Sequence, residues 1–231
     1  MSRQRDPQLD RRSLMAGVGI AVAGLAAGAT AARAQSRGAG SGFTPTRHDQ
    51  DAWLGELSGG HRVFIDSATA HGGAEALLYA NNLYTAQENA YAGGPGDFAM
   101  VVCFRHFSTP FGYKDPIWAK YGEIFNSLMQ FPDPDTGAAP RINLMNSAAH
   151  TSLPNFGVTV DAVSAKGTQI AICLAATTFI SGYIAEQTDG DAEAIRAELM
   201  AGAVDNSRFV SAGVIALTRS QEYGYSLLYA G

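Results

Sequence analysis

Nearly continuous apolar runs alternate with stretches of helical period along most of this chain. Phe98-Ala99-Met100-Val101-Val102-Cys103-Phe104 contains no polar position, the pattern of a strand covered on both faces. Thr168-Gln169-Ile170-Ala171-Ile172-Cys173 predicts a second buried strand, and Leu174-Ala175-Ala176-Thr177-Thr178-Phe179 carries it into a helix. Arg62-Val63-Phe64-Ile65-Asp66-Ser67 reads as the first strand and Tyr225-Ser226-Leu227-Leu228-Tyr229 as the last. Phe209 to Gly213 is a short strand or turn, and Arg141 to Met145 another short strand.

Between these runs the period changes to that of helices. Ala70-His71-Gly72-Gly73 turns into a helix from Ala74 to Glu88, with Leu77, Leu78, Asn81, Tyr84 and Thr85 on one face. Pro116 to Met129 predicts a helix with proline early, where its missing N–H costs nothing. Leu153 to Lys166 reads as a helix closed by Gly167 at C′, a position that favours left-handed geometry. Further helices are expected over Asp51–Leu57, Thr177–Gln187, Ala192–Gly202 and Val214–Glu222. Ala92 to Gly96 is a loop, as is Phe131-Pro132-Asp133-Pro134-Asp135-Thr136-Gly137, which suits neither helix nor strand. Strands alternating with helices predict an α/β fold, an open doubly wound parallel sheet over residues 51–231.

The first residues follow a different pattern. Asp10-Arg11-Arg12-Ser13-Leu14 precedes a Gly/Ala-rich run from Ala16 to Ala32, and Ala32-Arg33-Ala34 supplies a small-x-small cleavage site. Residues 1–34 therefore read as a twin-arginine signal peptide, which makes the twin-arginine translocase a partner during export and the periplasm the destination. Residues 35–50, rich in Gly and Ser, read as a flexible linker. No later stretch is long and apolar enough to span a membrane, so no stable membrane span is expected.

Composition narrows the function classes. Removing residues 1–34 takes away five basic residues (Arg3, Arg5, Arg11, Arg12, Arg33) and two acidic ones (Asp6, Asp10). That leaves 11 basic against 19 acidic residues, a net charge of −8. Such a surface repels phosphate backbones, which argues against nucleic-acid binding. Charged residues are 16% of the chain, well below the globular average of about 25%, so few groups are available to cover apolar helix faces. Leu78, Leu83, Tyr84 and Tyr91 spread beyond one stripe, and so do Trp118, Tyr121, Ile124, Phe125, Leu128 and Met129. A homo-oligomer whose interface includes the Trp118–Met129 helix is expected. The sequence has no P-loop, G-x-G-x-x-G, G-x-S-x-G or zinc-type Cys/His spacing, so it implies no cofactor and no metal.

Candidate chemistry collects at strand ends, where open α/β sheets bind ligands. Cys173 stands at a strand-to-helix junction. It is either a thiolate favoured by the helix N-terminus or a small apolar residue in a buried strand. Cys103 lies mid-strand and reads as packing, although the two cysteines could oxidise together if their strands were neighbours. Arg105 and His106 follow the second strand, Arg105 as candidate anion holder and His106 as candidate general base or metal ligand. His71, Gly72 and Gly73 form a comparable turn whose N–H groups could face an anion. His150, at the start of a helix, and His61, at the start of a strand, read as incidental.

Three segments in order carry a resemblance. They are Ala162 to Cys173, Val210-Ser211-Ala212-Gly213-Val214-Ile215-Ala216-Leu217, and Ser220-Gln221-Glu222-Tyr223-Gly224-Tyr225-Ser226-Leu227-Leu228-Tyr229. Together they resemble the DsrE/DsrF-like superfamily of sulfur-relay domains over residues 155–231, and more loosely over 61–106. The resemblance implies a flavodoxin-like α/β subunit that forms homo-oligomers. It also implies that Cys173 accepts and hands on sulfane sulfur. Leu174-Ala175-Ala176 departs from the small polar residues or glycine that follow the cysteine in that family. The expected function is an exported DsrE-like protein handling thiol or sulfur through Cys173, with a small anionic or sulfur-containing ligand. The alternative is a non-catalytic small-anion-binding or assembly subunit that uses an Arg105/His106 pocket.

Overall fold

The structure is a computed structural model that describes residues 44–231. The expected leader, and the linker up to residue 43, lie outside the described residues. Among those described, five parallel strands form one sheet: β1 (His61–Ser67), β2 (Phe98–Phe104), β3 (Gln169–Cys173), β4 (Ser207–Val210) and β5 (Ser226–Ala230). Their order is β4-β3-β2-β1-β5. The predicted strands thus appear within a residue or so of their predicted places, except that the one expected over Phe209–Gly213 lies at Ser207–Val210 and Arg141–Met145 forms none. That segment instead makes a 3-10 turn at Leu144–Asn146, because Asn143 spends its side-chain amide on the carbonyls of Phe111 and Tyr113.

Among the described residues seven α-helices cover the sheet: α1 (Trp53–Glu56), α2 (Ala70–Ala90), α3 (Asp115–Met129), α4 (Val160–Ala165), α5 (Leu174–Thr188), α6 (Ala192–Ala201) and α7 (Gly213–Glu222). The strand residues alternate between two apolar layers, as a pleated sheet buried on both sides requires. Ile65, Met100, Val102, Phe104, Ile170 and Ile172 pack with residues of α2 to α6. Phe64, Val101, Cys103 and Ala171 pack on the other side, against Trp53 and Leu54 of α1 and Ala216 of α7. One face is therefore heavily covered and the other thinly. On the thin side Leu227 and Tyr229 of the β5 edge remain exposed, and so do Val214 and Ile215 of α7. Among the described residues no helix is long and apolar enough to cross a membrane.

Helix boundaries follow their caps. α2 starts at Ala70, four residues earlier than its apolar period suggests, because Thr69 Oγ1 accepts the Gly72 N–H at 2.8 Å. α5 likewise starts at Leu174, with Cys173 as its N-cap. The helix predicted from Leu153 shrinks to Val160–Ala165. Phe156 and Gly157 take left-handed backbone (φ 49° and 78°), and Thr159 caps the new start by accepting from Ala162 N. The large residues of α3 also differ from expectation. Trp118, Tyr121, Phe125 and Met129 are buried in their own subunit, so this helix does not offer the interface that its sequence suggested. The Trp118 indole N–H is satisfied by the Pro110 carbonyl, and its ring stacks on Phe111.

The order of connections locates a crevice. α5 leaves β3 toward the crowded face, whereas α7 leaves β4 toward the thin one. At the carboxyl ends of adjacent strands whose connections diverge in this way, open α/β sheets form their ligand crevice.

Candidate functional site

A cavity of about 500 Å³ opens at the β3/β4 divergence. Its walls come from four places: Arg105, His106, Phe107 and Pro110 after β2; Leu128 and Met129 at the end of α3; Cys173 to Ile180 in α5; and Ala212, Gly213 and Val214 at the start of α7. The structure thus brings Cys173, Arg105 and His106 to one site, although 68 residues of sequence separate Arg105 from Cys173. The volume lies within the range of small-molecule sites, and most of the lining is aliphatic or aromatic.

Cys173 is 6% exposed, and its sulfur is the acceptor for two backbone N–H groups. Ala176 N, in the first turn of α5, lies 3.4 Å away. Gly213 N, the first residue of α7, lies 3.3 Å away. Two helix N-termini therefore converge on one sulfur from opposite faces of the sheet. Such ends carry unpaired N–H groups and partial positive charge. The backbone at this corner is pinned from below. Thr177 Oγ1 donates to the Cys173 carbonyl at 2.9 Å, and Tyr113 Oη lies 2.8 Å from the same Thr177 oxygen. Burial pushes the Tyr113 phenol far above its ordinary range, so it stays protonated.

Arg105 has a different role from the one its position suggests. Its Nε and Nη2 form a two-pronged pair with Asp66 Oδ1 and Oδ2, both at 2.8 Å, and Asp66 is 1% exposed. This hydrogen-bonded pairing holds the guanidinium even above its usual range, against the opposing effect of burial. The Nε–Nη2 edge of the planar fork is thereby committed to a buried carboxylate. On its way to Asp66 the Arg105 stem crosses Gly213 so closely that a Cβ there would lie 2.6 Å from Arg105 Cβ. Asp66, Arg105, Gly213 and Cys173 therefore form one mechanically linked row.

His106 is the polar group left at the cavity rim. It is exposed, takes left-handed backbone (φ 53°) and stacks on Phe107 with ring centroids 4.1 Å apart. The turn that presents it is fixed by Ser108, whose hydroxyl donates toward the carbonyls of Ser67 and Arg105 and accepts the Arg105 N–H.

His71, Gly72 and Gly73 lie elsewhere, in the first turn of α2 and outside this lining. Both glycine N–H groups are spent on Thr69, one on its side chain and one on its carbonyl. The two glycines are needed for close packing. A Cβ on Gly72 would meet Ala230 O at 2.3 Å, and one on Gly73 would meet Phe111 at 2.7 Å. His71 faces solvent, 3.6 Å from Glu75.

Cys103 is fully buried, and its thiol is pushed well above the ordinary range, first by burial and then by Asp66. It pairs in register with Ala171, so Cys173 is two positions further along the neighbouring strand. That offset is about 6.6 Å along the strand and about 4.8 Å across it, which sets the Cα atoms about 8 Å apart. Disulfides need about 7 Å or less, so the two remain free thiols.

Two contributors escaped the sequence reading. Asp66 looked like the polar end of a strand, and its partner 39 residues later could not be read from spacing. Gly213 was visible only as one residue of the Val210–Leu217 segment, without its N–H being aimed at a sulfur. No family model, characterised protein or solved structure matches this chain.

Proposed function

We propose that this chain is an exported thiol protein that accepts sulfane sulfur at Cys173 and hands it on. The observation that carries this reading is the pair of helix N-termini donating to one sulfur in a cavity wall. In the proposed step the Cys173 thiolate attacks the outer sulfur of a small persulfide. A new S–S bond forms at Cys173 as the donor's S–S bond breaks, and the donor leaves as a thiolate that takes up a proton. Transfer onward reverses these roles, with an acceptor thiolate attacking the outer sulfur. His106, which lines the cavity at its rim, would exchange the proton with solvent. The apolar walls would exclude water from the persulfide while it is held.

The ordered resemblance of residues 155–231 to DsrE/DsrF-like sulfur-relay domains supports the same reading, as does the finer expectation of a flavodoxin-like subunit. The reversal of strand order comes late, after β4, unlike the 2-1-3-4-5 order of flavodoxin itself. The paired Arg11-Arg12 leader supports export to the periplasm. Replacing that pair by two lysines should leave precursor in the cytoplasm, and efficient export of the variant would defeat the assignment. Association of copies is also part of the proposal. Val214, Ile215, Leu227 and Tyr229, exposed on the thinly covered face, now support it in place of α3. Light scattering decides it.

The test of the sulfur reading is to incubate the purified protein with cysteine persulfide, trap with an alkylating reagent and sequence the peptides by mass spectrometry. One extra sulfur on the Cys173 peptide, absent in Cys173→Ala, is expected. A thiol that reacts only after denaturation overturns the reading. A second reading is a non-catalytic binding subunit, favoured by the aliphatic lining from Leu128, Met129, Phe179 and Ile180. It predicts a bound small molecule whose affinity is unchanged by Cys173→Ser.

A further inference from the structure

We propose a divalent transition-metal site outside the cavity, formed by Asp133, Asp135 and His150. All three lie in the long connection between α3 and α4, where regular structure among residues 130–159 is limited to one 3-10 turn. Asp133 closes the first loop of this connection. Its Oδ1 accepts the N–H groups of Asp135 and Thr136 at 2.9 and 3.0 Å, which leaves Oδ2 turned toward His150. Asp135 presents its own Oδ2 to the same point.

His150 points to a ligand independently of the acidic pair. It is 8% exposed and turns Nε2, not the buried and unpartnered Nδ1, toward the two carboxylates. Its Nε2 lies 3.6 Å from Asp133 Oδ2 and 3.6 Å from Asp135 Oδ2. That is too long for a hydrogen bond, and a buried imidazole aimed between two carboxylates without bonding either is uncommon. The two His150–carboxylate spacings do match atoms that share an ion. Two donors each about 2.1 Å from a metal and about 110–120° apart lie about 3.4–3.6 Å from each other. All three candidate donor atoms lie within 4.8 Å of one another.

The donor set chooses the class of ion. One imidazole with two carboxylates suits zinc or another first-row divalent ion, whereas magnesium and calcium prefer oxygen alone. Asp135 is 70% exposed, so the open side of the site faces water, which would complete the coordination. An ion here would tie the loop at 133–137 to the segment around His150. Phe131, two residues before Asp133, packs on Phe111, and the connection leaves α3 directly after Leu128 and Met129 of the cavity wall. The staple would thus stand behind that wall.

Calorimetric titration of the purified, chelator-treated protein with Zn²⁺ tests the site. One equivalent should bind at micromolar concentrations and raise the melting temperature, and Mg²⁺ should do neither. Asp135→Asn, at an exposed position that leaves the fold intact, should weaken that equivalent by about tenfold or more. His150→Gln should do the same, and His71→Ala should not. Absence of a one-equivalent event, or an event unchanged in Asp135→Asn, overturns the site. The trio is then an ion pair only.

Discussion

The Gly213 N–H points at the Cys173 sulfur from 3.3 Å, across 40 residues of sequence and from the opposite face of the sheet to α5. Neither residue makes the site alone. The helix that follows Cys173 supplies one N–H, and the return helix α7 supplies the other.

The first prediction concerns selectivity between the two thiols. Cys173 lines a cavity, whereas Cys103 is sealed at 0% exposure with its thiol pushed far up by burial. A small alkylating reagent should label Cys173 in the folded protein and reach Cys103 only in denaturant. Peptide mass spectrometry after timed quenching checks this. Equal labelling of both in buffer would mean that the β2 interior opens readily.

Much of this architecture is legible in the sequence, and the exceptions share a cause. The apolar runs of β2 and β3 fix both strands to within a residue, because burial on two faces leaves no other pattern. Cys173, Arg105 and His106 are legible as strand-end residues for the same reason. What period and composition do not carry is side-chain direction. Arg105 looked free because its partner Asp66 resembled an ordinary strand terminus, yet the fork closes on it. The Trp118–Met129 stripe looked too broad to bury, but α3 packs against Phe111, Tyr113 and the connection beyond it. Gly72-Gly73 looked like a cradle because glycine permits many geometries, of which close packing is one.

Gly213→Ala sets two magnitudes against each other. Alanine at a helix position normally gains up to about 1 kcal/mol over glycine. Here its Cβ would lie 2.6 Å from Arg105 Cβ and 2.9 Å from Arg105 Cδ, so the stem or the helix must shift. Overpacking of this kind costs about 1–3 kcal/mol, and it should win. Urea unfolding should show net destabilisation, together with a changed alkylation rate at Cys173 as the N–H moves away. A stabilised variant with unchanged labelling would dissolve the mechanical link.

The Asp66–Arg105 pair separates stability from binding. Arg105→Ala would strand a carboxylate that is 1% exposed, and breaking such a pair costs about 3–5 kcal/mol. Asp66→Ala should cost a similar amount. The double variant should lose much less than the sum of the two, because no buried charge is left without its partner. Denaturant midpoints for the three variants check the cycle. Loss of ligand binding in Arg105→Ala alone is therefore no proof of an anion site, unless the double variant loses it too.

Acid stability should carry a contribution from the α3–α6 contact. Glu198 is opposed by partial burial, but hydrogen bonds from Lys120 at 2.7 Å and Tyr121 at 2.6 Å hold its carboxyl below the ordinary range. A carboxyl lowered on folding stabilises the native state above its unfolded value of about 4.3, and the benefit disappears as pH falls through the lower, folded value. The unfolded chain binds the proton first, so stability must decline in that direction. Exposure limits the size of the effect: Glu198 is 37% and Lys120 55% open to solvent, which caps it at about 1 kcal/mol. Glu198→Gln should therefore be slightly less stable than wild type at neutral pH. It should also lose less than wild type between about pH 5 and about pH 3 in parallel urea titrations. If the two proteins decline in parallel over that interval, Glu198 gains nothing from its partners, and the acid sensitivity must come from other carboxylates.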